Sequence, residues 1–468
     1  MANRHNRAIC CLIVLTAINA KWIHPSLALR LLKANLGALE DSCKIIEFAL
    51  RQPLGEKLEA LQEANPRILG ISVSIWNHLA TLELLQELEK LWAASSHALK
   101  PIVVLGGPEV SHLPPESRIF HYADYVIRGE GEIAFRTLCE TVLQQPIVQL
   151  AKFIDAEPVN LKEIKTAYHL YKNETSNKLI YVESSRGCSF NCEFCLSAVN
   201  KGVREFPLDQ FLEQMDILVQ NGVKTFKFLD RSFNLNIDRA LHIINFFLKK
   251  LEEKTFVVHF EMVPSIFPPQ LIEALSRFPP GTLRLEIGIQ TFNKEAAARI
   301  RRARAQVSNG EKELQNIRLL RDKTNAIIHA DLIAGLPGED LKSFGRGFDL
   351  LWLALPETAE IQPGILKLLP GAPIARHNEK FAMRYNPLPP YEIEENSSIS
   401  AADIQRIKNF ARFWELIVNR KIVTFDNKKP LFDRFMVLSD ALLAHFGKNW
   451  GIGKSELLNY LTLWTFPA

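Results

Sequence analysis

What most constrains this chain is a rhythm. Short apolar runs alternate with amphipathic helical stretches, and the alternation occurs twice. Over residues 1–145 the pattern predicts strands at 8–16, 43–49, 68–74, 102–106 and 124–127, and helices at 25–38, 54–63, 78–93 and 132–144. Strands alternating with helices make a parallel sheet covered on both faces. This part is therefore read as a doubly wound domain, in which ligands bind outside the carboxyl ends of the strands. Residues 146–178 are weakly patterned and read as a connector. From 179 to 375 the rhythm resumes, with strands expected at 179–185, 224–230, 256–262, 283–289, 327–333 and 360–366. Repeated strand–helix units of this kind predict a partial or full β/α barrel whose active site lies at the carboxyl ends of its strands. Residues 376–468 change character: a loop-like break is followed by helices expected at 401–420, 430–446 and 453–463. The fold class is thus α/β, with a mostly α-helical C-terminal domain.

Within the first part, polar residues and glycines follow the strands. Ser72, Ser74 and Asn77 follow ILGISVS, Gly106 and Gly107 follow IVVL, and Arg128-Gly129-Glu130-Gly131-Glu132 follows YVI. In a parallel sheet these groups share one edge, where glycine lets backbone approach a ligand closely. Strand-to-helix turns use glycine as well, so position alone leaves both readings open.

Charge excludes little. The chain has 56 basic and 52 acidic residues, a formal balance of +4, which gives no push toward nucleic acid or an anionic membrane. The apolar stretch 8–18 is too short to span a bilayer. Asn19, Lys21 and His24 follow it without a small-residue cleavage pattern, so it reads as a buried strand rather than a signal peptide. Seven cysteines are present, at 10, 11, 43, 139, 188, 192 and 195. An odd number with one tight cluster suggests a reducing compartment and a metal site rather than a disulfide framework. The expectation is a cytoplasmic protein.

That cluster is the strongest local signal: Ser185-Arg186-Gly187-Cys188-Ser189-Phe190-Asn191-Cys192-Glu193-Phe194-Cys195. Three thiolates spaced C-x3-C-x2-C on a loop after a strand can hold three irons of a [4Fe–4S] cubane and leave the fourth iron open. No histidine or fourth cysteine lies near to close a structural zinc site. The motif, with Phe194 just before its last cysteine, resembles the signature of the radical S-adenosylmethionine (SAM) superfamily. The resemblance implies that SAM binds the open iron and is cleaved by one electron to a 5′-deoxyadenosyl radical. It continues along the second part through Asp230, Glu261, the segment Glu286–Gln290, Arg302, and Asp331 in DLIAGLPGE. These are similar to the oxygen-independent coproporphyrinogen oxidase branch. By that likeness Phe194, Asp230, Glu261, Gln290, Arg302 and Asp331 contact SAM: Gln290 and Asp331 at the ribose hydroxyls, Glu261 and Arg302 at the methionine end. A carboxylate matches an amine and an arginine fork matches a carboxylate, which suits those roles.

A doubly wound domain followed by such a barrel resembles the cobalamin-dependent class of the superfamily. The likeness implies cobalamin contacts from Ser72, Ser74, Asn77, Gly106, Gly107, Gly129, Glu130 and Glu132. The C-terminal helices, with Phe410, Trp414 and Asn419, resemble the domain of unknown function that ends one subgroup. One departure matters. The Asp-x-His-x-x-Gly motif that supplies a lower cobalt ligand in many cobalamin domains is replaced here by Asn19-Ala20-Lys21-Trp22-Ile23-His24. The resemblance then implies cobalamin bound without histidine. The leading expectation is methylation of an unactivated carbon in a small-molecule or peptide substrate, with flavodoxin or ferredoxin as electron donor and neither membrane nor nucleic acid as partner. A cyclase, oxidase or rearrangement enzyme with the same cofactors is the alternative. A tRNA-modifying methylthiotransferase-like enzyme would need a second cysteine cluster, and Cys10, Cys11, Cys43 and Cys139 do not form one by spacing.

Overall fold

The computed structural model describes residues 12–94, 100–144, 150–171, 177–198, 202–302 and 310–464. The expected strand at 8–16 is found shifted, as β1 (Ile13–Asn19). Its first residues, with Cys10 and Cys11, lie outside the described ones. The chain forms two compact units, Met1–Ser184 with Glu205–Lys227 and Ser185–Arg204 with Phe228–Ala468.

The first unit holds a parallel sheet. Besides β1 it contains β2 (Cys43–Ala49), β3 (Ile68–Ser72), β4 (Ile102–Gly106), β5 (Tyr125–Gly129) and β6 (Phe153–Ala156), in the order β2-β1-β3-β4-β5-β6. All neighbours run parallel. The order reverses between β1 and β3, the switch point of a doubly wound sheet. Helices α1 (Leu27–Ala34), α2 (Leu54–Ala64), α3 (His78–Ala94) and α4 (Gly131–Gln144) connect the strands. Each sheet face has its own apolar core: Leu84, Leu85 and Leu88 of α3 pack on one, Phe135, Leu138 and Val142 of α4 on the other. The sequence predicts α1 over 25–38, but it stops at Ala34 and a 3₁₀ turn follows at Gly37–Ser42. Ser26 caps its start, its hydroxyl accepting from the Leu29 amide at 3.3 Å. The stretch read as a connector contributes β6, whose four residues FIDA are too few to show a periodicity. The same stretch is tied to α1: Asn35 exchanges hydrogen bonds with the Lys165 backbone at 2.9 and 3.0 Å, and buried Arg30 lies over the Tyr171 ring.

All six strands expected in the second part are present: β7 (Ile180–Val182), β10 (Thr225–Phe228), β11 (Val257–Met262), β12 (Leu283–Gln290), β13 (Ile327–Ala334) and β14 (Glu360–Ile365). Two short strands come between, β8 (Ser185–Cys188) and β9 (Gly202–Glu205), and helices α5 (Leu208–Gln220), α6 (Ile237–Leu251), α7 (Pro269–Ser276), α8 (Lys294–Arg299) and α9 (Glu311–Lys323) lie between the strands. In the second unit β11, β12, β13 and β14 pair in parallel. Their two faces differ sharply. On β12, Leu283, Leu285, Ile287 and Ile289 are buried while Arg284, Glu286, Gly288 and Gln290 are only partly covered. Period-2 alternation in a central parallel strand marks one face as core and the other as open.

The C-terminal helices belong to the same unit. Phe348 and Trp352 lie on α10 (Leu341–Ala354), Phe410 and Trp414 on α11 (Ala401–Trp414), and Phe432 and Phe435 on α12 (Phe432–Phe446). Trp414 is fully buried, with its ring centroid 4.8 Å from Phe348 and 4.9 Å from Phe435. Asp349 accepts from the Leu431 and Phe432 amides at 2.8 and 2.9 Å, which fastens the start of α12 to α10. Asn419, in the π turn after α11, donates to the Ile361 carbonyl at 3.0 Å. A last helix, α13 (Lys454–Leu463), matches the expected position. Among the described residues no helix is long and apolar enough to cross a membrane.

Candidate functional site

A cavity of the second unit lies at the carboxyl ends of β11 and β12. Cys188, Cys192 and Cys195 line it together with Phe190 and Phe194, and Glu261, Gln290 and Arg302 close the other side. Local structure explains why each side chain arrives there. Cys188 ends β8, and the Cys195 amide bonds back to the Cys192 carbonyl at 3.1 Å, so the loop turns the thiols inward. Glu261 is the penultimate residue of β11, on its open face. Gln290 ends β12 in a left-handed conformation, φ 71°, where the register with β13 shifts between Gly288 and Gln290. Such a conformation in a non-glycine residue is held by its surroundings. Here the next residue, Thr291, donates its hydroxyl to buried Glu339 at 2.7 Å.

Burial and one nearby cation act on the thiols in opposite directions. Burial pushes the Cys188 and Cys192 thiols up from their ordinary range. Beside Cys192 the Arg302 guanidinium, with Nη1 3.7 Å from Sγ, works against that shift. Its Nη2 donates to the Gly288 carbonyl. Among the described residues no group of three His, Cys, Asp or Glu side chains is close enough to chelate one ion. Three thiols on one cavity wall fit a polynuclear cluster, where each binds a different iron.

Two expected SAM residues stand off the cavity wall. Asp230 is buried and accepts from the Ser185 hydroxyl at 2.6 Å, tying the end of β10 to the start of the cysteine-bearing β8. Asp331 lies in register with Gly288 and Gln362 on the partly covered face of β13. Two residues passed over in the sequence are prominent. Arg231 lines the cavity, with Nη1 3.5 Å from Glu261. Glu193, within the cysteine motif, is 1% exposed and gathers Arg301 at 2.8 Å, Arg376 at 2.8 Å and His377 at 2.9 Å. Its charge in a row of small and aromatic residues was the available signal, since a buried carboxylate requires partners.

In the first unit the expected cobalamin residues gather along the carboxyl edge of the sheet, in different roles. Asn77 bridges strand ends, donating to the Ile18 and Ser72 carbonyls and accepting from the Ser74 amide at 2.8 Å. Gly106 ends β4, and Gly107 has φ 105°; a Cβ there would lie 2.5 Å from the Val73 oxygen, so only glycine fits. The Gly129 amide donates to the Ser111 hydroxyl at 3.2 Å, Glu130 accepts from the Val159 amide at 2.9 Å, and Glu132 is buried in the first turn of α4. Trp22 and Trp76, in the loops after β1 and β3, are more than half exposed and offer flat apolar surface beside these turns. His24 is engaged by the Tyr181 hydroxyl at 3.0 Å, and His78 faces buried Glu109 at 2.9 Å. Backbone cradle, apolar rim and engaged histidines fit a large planar cofactor held without either histidine as ligand.

A model described as the radical SAM superfamily matches residues 182–351, and one described as a B12 binding domain matches residues 13–139. The chain carries a radical SAM domain and, before it, a B12-binding domain. Over 165 residues the chain is 31% identical to an uncharacterized methyltransferase, PH0819, of Pyrococcus horikoshii, covering 30% of the present chain and 36% of that protein. Over 354 residues it is 22% identical to the cobalamin-dependent radical SAM methyltransferase TokK of Streptomyces tokunonensis, covering 69% and 50%. The alignments thus span half or less of these two relatives. The solved structure of the radical SAM methyltransferase TsrM from Kitasatospora setae superposes with a TM-score of 0.63 at 16% identity, covering 96% of this chain and 99% of that one, a likeness of fold.

Proposed function

We propose that this protein is a cobalamin-dependent methyltransferase acting on an unactivated carbon. The observation that carries the reading is the single cavity on which Cys188, Cys192 and Cys195 meet Glu261, Gln290 and Arg302, in a chain that also has a B12-binding domain. When bound, a [4Fe–4S] cluster supplies the electron that cleaves SAM, and cobalamin carries the methyl group.

The chain's own residues have distinct tasks in this reading. The three cysteines hold the cluster. Arg302 offsets the thiolate charge at Cys192 and reaches toward the methionine carboxylate, while Glu261 takes its amine. Gln290 holds the ribose hydroxyls, with Asp331 off the cavity wall beside Gly288 on the next strand, and Phe190 and Phe194 exclude water from the cluster side. Asp230 acts at one remove by holding Ser185, and with it β8. On the first unit Gly107 and Gly129 let backbone approach the corrin, and Ser72, Ser74, Asn77, Gly106, Glu130 and Glu132 shape the turns around it. A reductant of the flavodoxin or ferredoxin type supplies the electron. The methylthiotransferase-like alternative is not favoured: Cys43 and Cys139 sit within one apolar core, and burial drives the Cys139 thiol far up.

The test is anaerobic. Protein reconstituted with iron, sulfide and cobalamin should show base-off cob(II)alamin and a [4Fe–4S] signal by electron paramagnetic resonance. Turnover should give one S-adenosylhomocysteine and one 5′-deoxyadenosine per methylated product. Deoxyadenosine with an unmethylated product would move the assignment to the cyclase, oxidase or rearrangement class, and a cluster without retained corrinoid would remove methyl transfer.

A further inference from the structure

Two residues back from the cavity along each strand, the open face of the second unit's sheet carries charge where a barrel interior ordinarily carries branched apolar side chains. Behind Glu261 stands His259; behind Gly288 stands Glu286; behind Asp331 stands His329; and Glu360 follows on β14. Parallel register aligns Glu286 with His329 and His329 with Glu360. The result is a ladder of alternating imidazole and carboxylate across four strands. His259 Nε2 lies 3.3 Å from Glu286, and His329 Nδ1 lies 3.1 Å from Glu360. The two imidazole rings stack at 5.4 Å.

Three features separate this ladder from ordinary core polarity. The histidines are about nine-tenths buried, whereas the Glu286 and Glu360 side chains are 27% and 26% exposed, so the carboxylates reach open space from mid-strand. His329 Nε2 is buried with no hydrogen-bond partner among the described residues. The face is also acidic. Glu261, Glu286, Asp331 and Glu360 stand on it against Arg284, with Arg231 beside Glu261 and Arg302 at the Gly288 carbonyl, so acids still outnumber arginines. Lys421 and Arg284 act on Glu360 from a distance, and the His329 bond holds its carboxyl below the ordinary range. His329 Nδ1 has a second neighbour, the Gln362 side-chain nitrogen at 3.3 Å, so its proton position depends on which partner holds it. What Glu286 and Glu360 present is acceptors.

We propose that this ladder receives a cationic nitrogen of the substrate (an amine, amidine or guanidine), with Glu286 and Glu360 as its direct partners and His259 and His329 as positioning residues. That the bound molecule is the methyl acceptor rests on the function proposed above; the site itself does not.

The test uses the reconstituted 468-residue chain labelled with carbon-13 at histidine Cε1, with the His259 and His329 signals assigned through His259→Gln and His329→Gln. Agmatine is the probe, and glutarate its anionic control. Agmatine should shift both signals saturably, and the Glu286→Gln/Glu360→Gln pair should weaken it at least tenfold; Glu360→Gln alone is read the same way if the pair does not fold. Glutarate shifting the signals in place of agmatine, or undiminished agmatine binding in the variants, overturns the proposal. SAM cleavage measured on the same preparations separates the two failures. Cleavage without agmatine binding rejects the ladder alone, and agmatine binding without cleavage rejects the function while leaving the ladder.

Discussion

Glu193 offers the sharpest test of how the cysteine loop is held. Its carboxylate is 1% exposed: Oε2 accepts from Arg376 Nε and His377 Nε2, each at 2.9 Å, while Arg301 Nε and Arg376 Nη2 stand 2.8 Å from Oε1 as ion pairs. Its backbone adds two ties, accepting from the Ile374 amide and donating to the Ile300 carbonyl, each at 3.0 Å. The contacts differ in worth. Arg301 and Arg376 are 60% and 51% exposed, so both recover water when the carboxylate goes and contribute little. His377 is 10% exposed and does not. Losing a buried charged hydrogen bond costs about 1.5–3 kcal/mol, so Glu193→Ala should weaken the loop by roughly 2–3 kcal/mol. At tenfold per 1.4 kcal/mol, the open-loop population rises roughly 30- to 150-fold. Because the loop also carries Cys192 and Cys195, the assay is the rate at which a chelator bleaches the cluster absorbance of the reconstituted protein. Glu193→Gln, which keeps the shape and one acceptor, should lie between the two. A Glu193→Ala protein that loses its cluster at the wild-type rate would refute the clamp.

Other perturbations follow from packing and titration. Gly107→Ala combines φ 105° with a Cβ 2.5 Å from the Val73 oxygen, so it should destabilise the first unit by about 2–4 kcal/mol and lower its cobalamin retention; an unchanged melting temperature would contradict the geometry. Trp414→Ala empties the centre of the aromatic cluster between α10, α11 and α12 and should cost about 3–5 kcal/mol in urea unfolding, with a loss under 1 kcal/mol refuting an integral role for these helices. Burial holds the Glu339 carboxyl up at about 7, so the folded protein binds its proton more tightly than the unfolded chain does. That contribution is complete below about pH 4.5 and is lost as pH rises through about 7. Glu339→Gln should therefore gain on the wild type across that window, by up to roughly 3 kcal/mol, and a melting-temperature difference flat with pH would sink the assignment.

The amino-acid sequence determined the local part of this protein. Alternating runs of apolar and amphipathic residues dictate the strands and most helices, because side-chain period is a property of neighbours along the chain. Cys188, Cys192 and Cys195 were legible as a cluster motif because all three sit on one loop, and Gly107 because a strand end and a glycine pair announce a close turn. Where local signals were weak, the reading fell short: β6 is four residues long, and α1 ends early where Gly37 takes a left-handed φ of 60°. Tertiary structure decided the rest. Glu193 meets Arg376 and His377 across more than 180 positions, and Glu286, His329 and Glu360 form one ladder only because parallel register sets them side by side. Register and long-range ion pairs depend on which buried faces pack together, and no local stretch of sequence carries that information.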